Sequence, residues 1–369
     1  MHQLIAIQSG VTYASGGTTD YDGNKDGCMR LKDAYGPQLA DHHASNQVSK
    51  LTFAACSGAR MEDMVLGQQQ LAQLDKKTTL VTMQAGRWSE LDPVTRVVID
   101  VLDDRNDAGF YNIARDCIFH NEQKDYGKAY PDTGVRSDTI NGAENYIMAD
   151  SNSKGSYFDM HRTVQDVLDQ QKSKFDLYVI CYAHFFNVDS PDSDWCNDAS
   201  FTVSWDEINP ANGKKRVPLN KELRSKINDL TSKLNNQIFN VVARFKTEKV
   251  KYVDISAGFN GSRFCEPGSN EFLDRWGNDN VWFWNASPNL FLSVTAQDAD
   301  QQEKSFNASY FSDAPANSFN WIDLLDFDKA SKDVTGPWQG ASPGIALRPF
   351  YPTSKGHESI MKSINKARL

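Results

Sequence analysis

Residues 5–20 read IAIQSGVTYASGGTTD, and this stretch decides the reading of the fold. An apolar run, Leu4-Ile5-Ala6-Ile7, enters a turn of small residues, Gln8-Ser9-Gly10, and then a polar, glycine-rich segment. An apolar strand followed by a tight turn is how a parallel sheet presents a reactive group beyond the carboxyl end of a strand. The turn is there, but the position where a nucleophile would stand holds Gly10.

Outward from this strand the pattern alternates. Gly58 to Leu74 has apolar residues near helical spacing, and Thr79 to Ala85 reads as a short buried strand. Asp176 to Ala183 reads as a second buried strand. Leu219 to Phe245 is the clearest helix: Leu219, Leu223, Ile227, Leu230, Leu234, Ile238 and Val242 form one apolar stripe. Lys249 to Ile255 follows as a strand, and Ser354 to Ala367 as a final helix with Thr353 as its N-cap. Strands alternating with helices predict an α/β fold, with a parallel sheet covered on both faces. Ligands in such folds bind beyond the carboxyl ends of the strands.

The whole chain, 1–369, is read as a single domain with two insertions, about 120–160 and 266–345. The first is polar and turn-rich. The second is rich in Asn, Asp, Ser and aromatics, and is open to two readings: a lid over the site, or a surface elaboration with its own aromatic core. There is no internal repeat and no low-complexity tract.

The net charge of −9 argues against nucleic acid or an anionic membrane surface as partner, since both need a basic face. No apolar run reaches the length of a membrane span. The six cysteines, 28, 56, 117, 181, 196 and 265, have no CxxC metal spacing, and the acidic loop Asp189, Asp192, Asp194 has no EF-hand spacing, so neither metal nor cofactor is expected. Sequons stand at Asn260, Asn285 and Asn307. An even cysteine count with sequons leads us to expect a secreted chain from which any signal peptide has been removed. The other reading is free thiols and chance sequons in a cytosolic chain.

Six segments carry a resemblance: Cys28-Met-Arg, FAACSGA (53–59), LVTMQAG (80–86), YAHFFN (182–187), RFCEPG (263–268) and FYPTSKGH (350–357). In this order they resemble the secreted SGNH, or GDSL-type, serine hydrolases. These are esterases and lipases on a flavodoxin-like three-layer α/β/α sandwich with a parallel sheet. The resemblance implies that fold. It also implies disulfides Cys28–Cys56 and Cys196–Cys265, which leaves Cys117 and Cys181 as a third pair by elimination; a free thiol is also common in a buried strand such as the one that holds Cys181.

The resemblance also identifies what is replaced. Laid on the family's Gly-Asp-Ser without gaps, Ser9 takes the Asp position and Gly10 that of the nucleophile; a two-residue shift would instead offer Thr12. Gly58 matches the glycine whose N–H serves the oxyanion, although a glycine before a helix also serves backbone conformation alone. Gly86-Arg87-Trp88 stands where the family has Gly-Gly-Asn, so Trp88 replaces the oxyanion-donating Asn. An indole offers one N–H, and its bulk would fill the space a tetrahedral intermediate needs. In Arg348-Pro-Phe-Tyr351-Pro, Tyr351 takes the place of the general base and Arg348 that of its orienting Asp. A phenol with a pKa near ~10 is a poor base at neutral pH. His357 is expected to make a structural hydrogen bond in the first turn of the last helix, and His42-His43 to be solvated. Glu90 and Asp92 are open between the pocket and solvent.

Three functions follow. The first is a pseudoenzyme binding a small molecule, lipid or glycan through Ser9, Gly10, Thr12, Gly58, Arg87, Trp88, His184 and Tyr351. The second is a repurposed isomerase or cyclase using the same pocket. The third is a residual esterase or lipase using Thr12 or Ser9. Oligomeric state is not read from the sequence.

Overall fold

The computed structural model describes residues 2–8, 30, 32–43, 48–55, 70–74, 78–84, 144, 147–148, 156–170, 175–197, 220–247, 249–269, 280–283 and 352–368. Among these residues five parallel strands form one sheet: β1 (His2–Gln8), β2 (Val48–Phe53), β3 (Thr78–Gln84), β4 (Asp176–Ile180) and β5 (Val250–Val253). Their order is β2-β1-β3-β4-β5. This is the flavodoxin-like order, whose switch point lies between β1 and β3.

The α-helices among the described residues are α1 (Tyr35–His43), α2 (Ser156–Gln170), α3 (Lys221–Arg244) and α4 (Ser354–Arg368). They pack in pairs, α1 with α4 and α2 with α3, and give the α/β/α layering the sequence predicts. The central strands show why both faces must be covered. Leu177, Tyr178, Val179 and Ile180 are consecutive and all buried, as are Leu80, Val81, Thr82 and Met83. A strand covered on one side would alternate instead.

The expected α3 is confirmed within two residues at its start and one at its end. Asn220 caps it, its Oδ1 accepting from Leu223 N at 2.9 Å. The final helix is also confirmed: Thr353 Oγ1 accepts the Gly356 N–H at 3.4 Å. Three elements went unread in the sequence: α1, β2 and α2. Most of the expected helix 58–74 lies outside the described residues. Its last turn is 3₁₀ (Leu71–Gln73), and Leu74 is already extended.

Strand β4 stops at Ile180, three residues short of the expected end. The reason is its neighbour. β5 ends at Val253, whose carbonyl still accepts from Cys181 N, and the chain turns into a 3₁₀ helix at Ser256–Phe259, so residues 182–184 have no strand partner on that side until Phe264 bridges Phe186. Helix α3 supplies part of the replacement. Asn235 Oδ1 accepts from Tyr182 N at 2.9 Å while its Nδ2 donates to Tyr182 O at 2.7 Å. Asn228 does the same for Phe186, at 3.3 and 2.8 Å. Two side-chain amides one helical repeat of seven apart thus stand in for a ladder, meeting the requirement that buried backbone groups be paired.

The cysteine expectations divide. Cys196 and Cys265 form a disulfide, both buried, which ties the 3₁₀ helix Pro191–Asn197 to the loop after β5. Cys181 is not bridged: it is a free, fully buried thiol. It sits where β4 leaves the sheet, and its sulfur accepts from Ile255 N at 3.3 Å and lies 3.6 Å from Asp254 Oδ1. This is the second of the two readings that the sequence leaves open for it, and its environment makes it a small core residue. Burial pushes its thiol up to about 11, so it is neither thiolate nor nucleophile at neutral pH. Cys28, Cys56 and Cys117 lie outside the described residues.

Candidate functional site

The switch point places the ends of β1 and β3 together. Gln8 and Gln84, the last residues of the two strands, are register partners, and β2 flanks β1 through Ala6 and Phe53. Ser9 follows directly on Gln8, and Ala85 directly on Gln84. The candidate residues Ser9, Gly10, Thr12, Gly58, Arg87, Trp88, Arg348 and Tyr351 lie outside the described residues, as do Glu90 and Asp92. What is described is the frame from which they depart.

That frame is built by buried polar groups. Gln84 has no exposed surface, and its Nε2 donates to Cys181 O at 2.7 Å, binding the end of β3 to the end of β4. Tyr35, at the start of α1, sends its hydroxyl into the sheet to donate to Thr82 Oγ1 at 3.4 Å. Burial holds its phenol well above the usual range, so it is a neutral donor. His357 is fully buried, and its ring crosses to α1, where Nδ1 accepts from Tyr35 N at 3.3 Å. The first-turn hydrogen bond expected of it is made by its backbone, N–H to Thr353 O at 2.8 Å. The ring has the larger role of joining α4 to α1. Arg30 Nη1 donates to Ala55 O at 2.9 Å and so joins the chain two residues after Cys28 to the residue before Cys56.

The residue after Tyr351 is fixed with equal care. Pro352 forms an antiparallel bridge with Phe283, and Thr353 N donates to Trp282 O at 2.9 Å. Trp282 N in turn donates to Ser262 O, and Phe264 N to Phe185 O. A ladder of short segments therefore runs from the continuation of β4 to the start of α4. Phe185, Phe259, Phe264 and Phe283 pack inside it, with Phe259 stacked on Phe283 at 4.9 Å. Gly356 closes the ladder. A Cβ there would lie 2.6 Å from Trp282 O and 2.9 Å from Pro352 Cβ. Both obstacles belong to the backbone or to a rigid ring and cannot give way. Gly356→Ala is expected to cost about 1–3 kcal/mol, an overpacking penalty, read as a lower denaturant midpoint. The exposed Lys366→Ala on the same helix should change it by less than about 0.5 kcal/mol.

His184, a candidate for the pocket wall, is half-buried, and its Nε2 lies 2.8 Å from Ser232 Oγ on α3. This is not a nucleophile–base pair. The Ser232 hydroxyl donates to Asn228 O, one helical turn back, at 3.0 Å, so the imidazole must donate and the serine accept. Desolvation, and then the Arg263 charge, hold the His184 pKa below its usual value, which favours this neutral form. Beside it, Glu266 Oε1 accepts from Arg263 Nε at 2.8 Å and from Gly261 N at 3.1 Å, and Oε2 accepts from Asn187 Nδ2. This buried group joins the loops after β4 and β5.

Sequence reasoning missed Gln84, Asn228, Asn235 and Tyr35 as positioning residues. The signal was present for the two asparagines. They stand seven apart on α3, beside the apolar stripe. Among the described residues no group of three or more His, Cys, Asp or Glu could hold a metal ion, and no helix is long and apolar enough to cross a membrane. His42 is exposed, as expected.

No protein-family model and no curated protein matches the chain. Solved structures do. A phospholipase A1 from Streptomyces albidoflavus NA297 is similar over 100% of both chains, with 16% identity and a TM-score of 0.53. An extracellular lipase from Streptomyces rimosus is similar over 99% of both, with 14% identity and a TM-score of 0.52. At this identity the likeness concerns the fold. Together with the β2-β1-β3-β4-β5 parallel sheet it shows that this chain has an SGNH-type hydrolase fold.

Proposed function

We propose that the chain is an SGNH-type scaffold that has given up serine-hydrolase chemistry and binds a small molecule, lipid or glycan beyond the ends of β1 and β3. One observation carries this reading. The positions that would hold nucleophile, oxyanion donor, base and base-orienter are Gly10, Trp88, Tyr351 and Arg348, while the frame beside them is intact in the paired Gln8 and Gln84 and the Gly356-anchored start of α4. A glycine has no atom to form an acyl-enzyme. Loss of a single oxyanion donor alone costs on the order of a hundredfold to a thousandfold. Drift without selection would be expected to erode the frame as well. Secretion, and the Cys28–Cys56 disulfide, belong to the same reading and are supported by the Cys196–Cys265 disulfide.

A second reading is favoured by the chemistry of the replacements. Arg87, Trp88, Arg348 and Tyr351 are all hydrogen-bond donors. Such a set could hold a substrate in a reactive shape and serve an isomerase or cyclase. Variants separate the readings from each other and from residual hydrolysis. Ser9→Ala and Thr12→Ala should leave any ester hydrolysis by the purified protein at the level of the unaltered chain. Loss in either would restore the hydrolase. If the pocket turns a ligand over, Tyr351→Phe should slow product formation at least about tenfold while binding survives. Unchanged turnover would leave Tyr351 a packing residue.

A further inference from the structure

Of the three sequons, the one at Asn260-Gly261-Ser262 falls on described residues. It lies on a tight turn after β5. Phe259, the last residue of the 3₁₀ helix, is buried. Asn260 follows at φ −61°, ψ 130° and Gly261 at φ +82°, and Ser262 N donates to Phe259 O at 2.9 Å. These are the angles of a type II turn with the glycine at the position that requires positive φ. Asn260 occupies the outer corner. It is exposed, and its side chain makes no hydrogen bond among the described residues. Ser262 is different. It is 9% exposed, and its backbone is bound on both sides, its N–H to Phe259 and its carbonyl to Trp282 N at 2.8 Å. Three residues on, Cys265 is locked to Cys196.

We propose that Asn260 is an N-glycan acceptor that is modified before the Phe259–Ser262 turn packs against Trp282, and that the folded protein carries the sugar but cannot receive it. A transferase must reach both the Asn amide and the Ser hydroxyl of a sequon. The turn leaves the first open and buries the residue that holds the second. The donor is an oligosaccharide linked to a lipid pyrophosphate. The Asn260 Nδ2 attacks the anomeric carbon, the bond from that carbon to the pyrophosphate oxygen breaks, the lipid pyrophosphate leaves, and the amide nitrogen gives one proton to the transferase's base. The corner position then lets the sugar project into solvent at no packing cost. This chemistry is independent of residues 10, 88, 348 and 351.

The test has two arms. The full chain is directed into the secretory pathway of a eukaryotic cell, and lumenal and secreted material is mapped by peptide mass before and after peptide-N-glycosidase. Asn260 is expected to carry a glycan, and Asn260→Gln to lack it. Separately, disulfide-bonded protein made without glycans is offered to purified oligosaccharyltransferase and its lipid-linked donor, either native or reduced and unfolded. The unfolded chain is expected to accept at Asn260 at least about tenfold more than the native one. An unmodified Asn260 in the cell-derived protein would overturn the assignment. Equal acceptance by native and unfolded chains would overturn the order of events.

Discussion

Asn235→Ala is expected to destabilise the fold by about 2–4 kcal/mol. The loss comes from one backbone group. Tyr182 is 1% exposed, and its N–H donates to Asn235 Oδ1 at 2.9 Å. Its carbonyl keeps a second donor, Ser256 Oγ at 3.1 Å, so the penalty falls mainly on the N–H. A buried donor left without a partner costs about 1–3 kcal/mol, and the small cavity adds to it. Chemical denaturation reads the effect. Asn236→Ala, one residue on and exposed, should change stability by less than about 0.5 kcal/mol. Equal effects at 235 and 236 would mean that the clamp on the β4 continuation carries no weight.

Removing the disulfide, as Cys196→Ala with Cys265→Ala, is expected to cost about 4 kcal/mol, the chain-entropy value for a closed loop of this length. The two cysteines are 69 residues apart. Between them lie α3 and β5, so the unfolded chain gains much freedom when the link is cut. Both side chains are fully buried, and the Arg263–Glu266 pair brackets Cys265. The loss should therefore reach the loop after β5 as well as global stability, with hydrogen exchange at 259–266 rising first. A fall of less than about 1 kcal/mol would show that the link adds little beyond the surrounding packing. In the same preparation Cys181 should react with a thiol reagent only after unfolding, and without prior reduction.

What the sequence discloses follows the physics of each element. β3, β4, α3 and α4 are legible because their apolar residues recur with one period over enough length. α1 is hidden by its start: Gly36 and Pro37 read as breakers, yet Pro37 stands in the first turn, where its missing N–H costs nothing. β2, VSKLTF, is an edge strand with Lys50 exposed, so its apolar run is interrupted. α2 has a good pattern in Met160, Val164 and Val167, but its first turn falls inside the expected polar insertion 120–160. The replaced site positions are legible because a nucleophile turn has a local signature. The groups that support the site are not. Asn228 and Asn235 stand seven apart beside the apolar stripe, but only the end of the regular ladder at Ile180 makes them necessary. Cys181 stays open between bridge and free thiol for a related reason: parity of cysteines is a property of the whole chain, whereas bridging depends on where each one stands.

The most direct measurement is the intact mass of the purified chain after incubation with a fluorophosphonate, beside an active SGNH hydrolase treated identically. A scaffold whose nucleophile position is Gly10 should show no adduct while the control is labelled to completion. A stoichiometric adduct on this chain, mapped to Ser9, Thr12 or any other hydroxyl, would contradict the loss of serine-hydrolase chemistry.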